Sequence, residues 1–141
     1  MTLLWIRESP AHWDEGKARL IGRAPPGLFD NAFRCMKLGA PLSSEWWRVE
    51  EGGVVVGYGW LEVVWGDAEI LLATAPEARG RGVGGFILAR LEDEARARGL
   101  GNLYNALRRA YPRAAEIRRW LEKHGFAADE TGRYLRAVPA R

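Results

Sequence analysis

The sequence predicts an α+β fold in three layers, a mixed and mostly antiparallel central sheet with helices on both faces, in the order β-α-α-β-β-β-α-β-α-β-β. Three observations carry that prediction. Strand-length apolar runs between residues 44 and 75 are separated by glycine turns. Apolar residues then recur every fourth position at Val83, Ile87, Leu91 and Ala95, the spacing of a buried helix face. Finally, 141 residues, 48% of them apolar, suit one domain, residues 1–141, around one core.

Thr2 to Arg7 reads as the first strand. Ser9 offers an N-cap, Pro10 a first helical position and Gly22 a stop, which predicts a helix between them. Ala24-Pro25-Pro26-Gly27 breaks the chain before a second helix over Leu28 to Leu38, with Leu28, Ala32, Phe33 and Met36 on one face and Gly39 and Pro41 ending it. Ser44 to Glu50 is a strand whose adjacent Trp46 and Trp47 project to opposite faces. Glu51-Gly52-Gly53 turns it back into a long strand, Val54 to Trp65, and Gly66-Asp67 turns again into Ala68 to Ala75. After the helix that follows, Gly99 is a stop, and Asn102 to Leu107 is a strand parallel to the one before the helix, as in a βαβ unit. Pro112 starts the next helix, with Ile117, Trp120, Leu121 and His124 on its buried face and Gly125 as its end. Ala127-Ala128-Asp129 and Arg133 to Val138 close the chain as a hairpin. Tryptophans 5, 13, 46, 47, 60 and 65 read as packing residues.

Composition excludes several classes. No run approaches the 18 apolar residues that span a bilayer, and Met1 to Arg7 has too short an apolar core for a signal peptide, so a cytoplasmic protein without a membrane partner is expected. The single Cys35 reads as a core residue, and His12 and His124 give no metal-ligand spacing, so no metal is expected. The net charge is only +3, yet ten arginines fall between Arg79 and Arg119 against Glu92, Asp93, Glu94 and Glu116. That excess suits a polyanionic ligand. A nucleic-acid partner is not expected, because base-stacking aromatics are not interleaved with these arginines.

The stretch with the most chemistry is Pro76-Glu77-Ala78-Arg79-Gly80-Arg81-Gly82-Val83-Gly84-Gly85, between a strand and a helix. Its glycines strip side chains from the turn, so backbone N–H groups at the positive end of a helix can converge on an anion such as a diphosphate. A P-loop requires Gly-Lys-Ser/Thr, which Gly84-Gly85-Phe86 does not supply. Gly80, Gly82 and Gly85 satisfy G-x-G-x-x-G, but the carboxylate that fingerprint wants about 20 residues on is missing from Gly101-Asn102-Leu103-Tyr104-Asn105. Arg79, Gly82 and Gly84 fill a third pattern, Arg/Gln-x-x-Gly-x-Gly/Ala, and Ala73 to Gly85 closely resembles the pyrophosphate loop of the GNAT family of acetyl-CoA-dependent N-acetyltransferases. Trp120-Leu121-Glu122-Lys123-His124-Gly125-Phe126 is similar to that family's closing helix, and the element order agrees, so the resemblance covers nearly the whole chain.

The resemblance implies an acyl-CoA N-acyltransferase-like fold and transfer of an acetyl group from acetyl-CoA to an amine acceptor, small molecule or peptide. It implies that Leu72, Ala73 and Thr74 bind the pantetheine arm through their backbone, and that Arg79, Gly80, Arg81, Gly82, Val83, Gly84 and Gly85 hold the diphosphate. It makes Glu69 the nearest match to the catalytic base, with Asp67, Glu62 and Glu50 as alternatives. The acid departs from the family pattern: Leu121 stands where a tyrosine is frequent and Ala114 where an asparagine is frequent. That leaves Tyr111, Tyr104 or water to protonate the thiolate. The departure also opens a second reading, a non-catalytic acyl-CoA-binding module. The resemblance allows a homodimer.

Overall fold

The structure is a computed structural model and describes residues 2–25, 28–107 and 113–139. Among the described residues seven strands form one sheet: β1 (Leu3–Glu8), β2 (Glu45–Glu51), β3 (Val54–Val64), β4 (Asp67–Thr74), β5 (Asn102–Asn105), β6 (Ala127–Ala128) and β7 (Tyr134–Ala137). Their spatial order is β1-β2-β3-β4-β5-β7-β6, and β4 with β5 is the parallel pair. The helices are α1 (Glu15–Lys17), α2 (Val83–Ala97) and α3 (Ala114–Lys123). The mixed, mostly antiparallel α+β architecture is the one expected from the pattern.

Both central hairpins turn tightly. Glu51 pairs with Val54 across Gly52 and Gly53, and Val64 with Asp67 across Trp65 and Gly66. All four turn residues have positive φ, the geometry that matches strand twist in a two-residue hairpin. Trp65, with φ of 51°, is therefore pushed off the sheet and is 99% exposed, which corrects its reading as a packing residue.

Alternation along β2 and β3 builds the two cores. On one face Trp47 stacks on Trp5, and α2 lays Val83, Ile87, Leu91 and Ala95 over the sheet, all four buried as the fourfold spacing predicted. On the other face Trp46 stacks on Trp60 at 4.3 Å, with Phe29, Phe33, Trp13 and Tyr58 around them. Trp46 and Trp47 thus anchor opposite faces.

The segment between β1 and β2 differs from expectation. Ser9-Pro10 is a cis peptide, and residues 11–13 run extended because their backbone bonds cross to Gly39, Ala40 and Leu42. The helix starts at Asp14, whose carboxylate accepts from the Lys17 N–H, and after α1 it widens into a π turn over Ala18–Gly22. The second helix is reduced to a 3-10 turn, Asn31–Cys35, capped by Asp30. Phe29 and Phe33 are held by aromatic contacts to Trp60, Trp46 and Trp13 rather than by a continuous helix face, a tertiary preference overriding the periodicity. Cys35 is exposed, not core.

Among the described residues no helix is long and apolar enough to cross a membrane.

Candidate functional site

Among the described residues β4 and β5 pair at two positions, Ala68 with Leu103 and Glu69 with Tyr104. Where they part, Asn105 Nδ2 donates to the Ile70 carbonyl at 3.0 Å. Backbone groups alternate between the two edges of a strand, so those of Leu72 and Thr74 turn to the same side as the Ile70 carbonyl. They have no strand partner among the described residues. The Ala73 backbone turns the other way, toward Tyr58 of β3. An unpaired strand edge inside a protein is a set of directed donors and acceptors waiting for an extended ligand.

The fork opens into a cleft of about 1230 Å³ lined by Leu71 to Thr74, by Arg79, Gly80 and Gly82 to Gly85 of the turn, and by Trp120, Leu121 and His124 at the end of the closing helix. Gly82 caps α2 with φ of 83°, and Gly80 has φ of 78°. A Cβ on either would meet nothing within 4 Å, so backbone conformation, not crowding, demands glycine there. The Phe86 N–H to the Gly82 carbonyl opens the α2 ladder, which leaves the N–H groups of Val83, Gly84 and Gly85 without an intrahelical acceptor. They stand at the positive end of a fifteen-residue helix. Arg79 is exposed and lines the cleft. Arg81 is not among the lining residues, and its Nη2 is 2.8 Å from Glu51 Oε1.

α3 sits against this helix end. A Cβ on Gly84 would come within 3.3 Å of the Trp120 ring, and Trp120 packs on His124 with ring centroids 4.2 Å apart. His124 Nδ1 lies 2.8 Å from the Trp120 carbonyl, which can only accept, so Nδ1 carries the proton. Leu121 is buried in the cleft wall, and Ala114 is not among the lining residues.

The carboxylates separate by position. Glu69 and Glu62 are cross-strand partners lining the cleft on the Trp60 face. Burial raises the Glu69 pKa above the ordinary carboxylate value and the neighbouring Glu62 charge raises it further, while Arg133 opposes both. Asp67 accepts from Asn102 Nδ2 at 3.2 Å, and Glu50 is held by Arg48 at 2.6 Å, neither of them lining the cleft. Tyr104 is buried beside Glu69 under the Arg133 guanidinium, also off the lining, with its pKa raised by burial and then by Glu69. Tyr111 lies outside the described residues.

The sequence reading missed Asn105 and the pairing of Glu62 with Glu69. A polar residue ending a short strand was the available signal for the first. The second needed the β3–β4 register.

The model of the acetyltransferase (GNAT) family matches residues 5–126. No curated protein sequence matches the chain. Among solved structures, a GNAT-family protein from Desulfovibrio desulfuricans is similar with a TM-score of 0.72 at 18% identity, covering 98% of this chain and 100% of its own. The ribosomal-protein-S18-alanine N-acetyltransferase of Escherichia coli has a TM-score of 0.67 at 16% identity, over 99% of this chain and 96% of its own. The Salmonella typhimurium protein yncA, solved with its cofactor acetyl-CoA, has a TM-score of 0.55 at 24% identity, over 70% and 66%. Because the family match runs from the first strand to Phe126, three residues past α3, and so spans the whole fork, the chain belongs to the GNAT family of acetyltransferases.

Proposed function

We propose that this acetyltransferase moves an acetyl group from acetyl-CoA to a primary amine by direct attack within a ternary complex. The observation that carries the reading is the unpaired β4 edge followed, after the 3-10 turn over Pro76–Ala78, by the glycine-rich start of α2. An extended amide-bearing arm matches the first and a diphosphate the second. Leu72 and Thr74 would bond the pantetheine arm through their backbones, with Ala73 lining it. Gly80 and Gly82 to Gly85 would cradle the diphosphate with Arg79. Arg81, tied to Glu51, would add charge from the side.

Glu69 is the base in this reading. The acceptor ammonium first loses one proton to solvent, the freed lone pair forms the C–N bond at the thioester carbon, Glu69 takes the second proton from that nitrogen, and the C–S bond breaks to release the CoA thiolate. A backbone N–H on the free edge of β4 stabilises the oxyanion between C–N formation and C–S cleavage. Tyr111 or water returns a proton to sulfur. Holding both reactants in one cleft supplies up to about 7 to 11 kcal/mol by removing the bimolecular encounter.

Burial of Leu121 at the family's tyrosine position favours a second reading, a module that binds acyl-CoA without turnover. Following free thiol during incubation with acetyl-CoA and an amine panel separates the two. Thiol release dependent on an amine, lost in Glu69→Gln, supports transfer. CoA binding without turnover of any amine supports the module.

A further inference from the structure

Beyond the cofactor arm, the cleft continues along the opposite face of the sheet, and its lining changes character there. Leu71 is the cross-strand partner of Trp60. Phe29 lies over Trp60 with ring centroids 5.5 Å apart, and Phe33 meets Trp60 edge-on at 6.1 Å while stacking on Trp13 at 5.3 Å. Phe29, Phe33, Met36, Leu42 and Leu71 are each only partly buried and line the cavity, so they present apolar surface to whatever enters. One row further along the same face of β3 and β4 stand Glu62 and Glu69, paired across the strands. Same-face residues on a strand are about 7 Å apart. That is the span of an ammonium joined to a ring by two or three methylenes.

We infer that the acceptor is a small arylalkylamine, its ring against Phe29, Phe33 and Leu71 and its ammonium held by Glu62 beside Glu69. The inference rests on the acetyl-transfer reading for the identity of the site, but not for its own test. Phe29, Phe33 and Leu71 offer apolar surface to a ring and Glu62 with Glu69 offer carboxylates to an ammonium, a pairing that suits this class, while Arg23, Asp30, Ser43 and Ser44 also line the cleft. A polyamine would leave the aromatic wall facing a second cation. A short hydroxylated amine would leave it uncovered. Arg19, which also lines the cleft, is drawn to Glu77 beside the phosphate turn at 3.1 Å and does not offset the two carboxylates. Arg133 opposes Glu69 from the β6–β7 side, where it is paired with Asp129 at 3.3 Å.

The test is calorimetric titration of 2-phenylethylamine, ethanolamine, spermidine and an alanine-initiated tripeptide into the full chain, with and without saturating CoA. The expected result is 2-phenylethylamine binding at least tenfold more tightly than ethanolamine. Glu62→Gln should weaken it at least fivefold with CoA affinity unchanged. Phe29→Ala should erase the preference, and Phe29→Leu, which keeps the apolar wall filled, should retain most of it. Equal affinity for 2-phenylethylamine and ethanolamine overturns the inference, as does tighter binding of spermidine or the tripeptide. Because the readout is binding, a protein that holds the arylalkylamine but never releases thiol refutes acetyl transfer alone. One that acetylates the tripeptide in preference refutes only the acceptor class.

Discussion

Glu69 shows how a single side chain can work against the fold it belongs to. Its pKa is raised by burial and by Glu62, so the folded protein prefers it protonated more than the unfolded chain does. Its contribution to stability is therefore present below the ordinary carboxylate pKa and is lost as pH rises through the raised folded value. Under the proposed function, catalysis needs the opposite form, the carboxylate. Glu69→Gln is expected to melt higher than the wild type at pH 7, with the gap closing in acid, while kcat/KM falls by roughly 100-fold or more. Thermal melts across pH 4 to 8 beside thiol-release kinetics check both halves. A wild-type rate that does not rise with pH above the ordinary carboxylate range would remove Glu69 as base. Under the proposed function Asn105 is a positioning residue, since its Nδ2 holds the Ile70 carbonyl where β4 parts from β5. Asn105→Ala frees the Ile70 carbonyl and should raise KM for acetyl-CoA several-fold more than it lowers kcat, whereas Asn105→Asp, which cannot donate, should fail to rescue it.

Among elements, the two helices that flank the sheet are fixed by different physics. α2 rides directly on β3 because Gly57 and Gly59 carry no side chain. A Cβ at Gly59 would lie 2.6 Å from Ile87 Cγ2 and 3.0 Å from the Trp5 ring. Gly59→Ala must therefore lift the helix or force rotamers, costing about 1–3 kcal/mol, which urea unfolding measures directly. On the other face α1 is held by charge. Lys17, fully buried, has its Nζ 2.6 Å from Glu8 and 2.8 Å from Asp14 and lies over the Tyr58 and Trp46 rings. Asp14 also caps α1 and accepts from the Tyr58 hydroxyl at 3.4 Å. Asp14→Ala removes cap and counter-ion together and should cost about 3 kcal/mol or more. Asp14→Asn, which still caps, should lose less, and chemical denaturation of the pair gives the order.

At the scale of the whole molecule the open fork is a cost that, under the proposed function, a ligand offsets. Leu72 and Thr74 sit mid-sheet with a backbone edge that no described strand pairs, a site where an extended ligand completes the ladder. Under the proposed function, CoA at 100 times its Kd stabilises the folded state by about 2.7 kcal/mol. For a chain of this size that is roughly 10 °C in Tm. Arg79→Ala should reduce the shift at a fixed CoA concentration and flatten its dependence on salt, since a diphosphate contact is screened by counter-ions. A Tm unmoved by CoA in differential scanning calorimetry would count against the fork as its binding place.

Local pattern alone dictated the order of strands, the burial of Val83, Ile87, Leu91 and Ala95, the opposed anchors Trp46 and Trp47, and the glycine turn that opens α2. Each follows from spacing along a regular backbone or from a φ that few residues adopt, and both are properties of a short stretch of chain. The region from Ser9 to Leu38 was misread because its conformation answers to distant partners. Residues 11–13 bond to Gly39, Ala40 and Leu42, and Phe29 and Phe33 lock onto tryptophans from β2 and β3. The site divides the same way. Its glycine turn was legible because backbone conformation and glycine make it. Which carboxylate stands in the cleft, what covers the acceptor end and where β4 leaves β5 were decided only by strand register and packing, since these juxtapose residues whose separation in the chain carries no periodic trace.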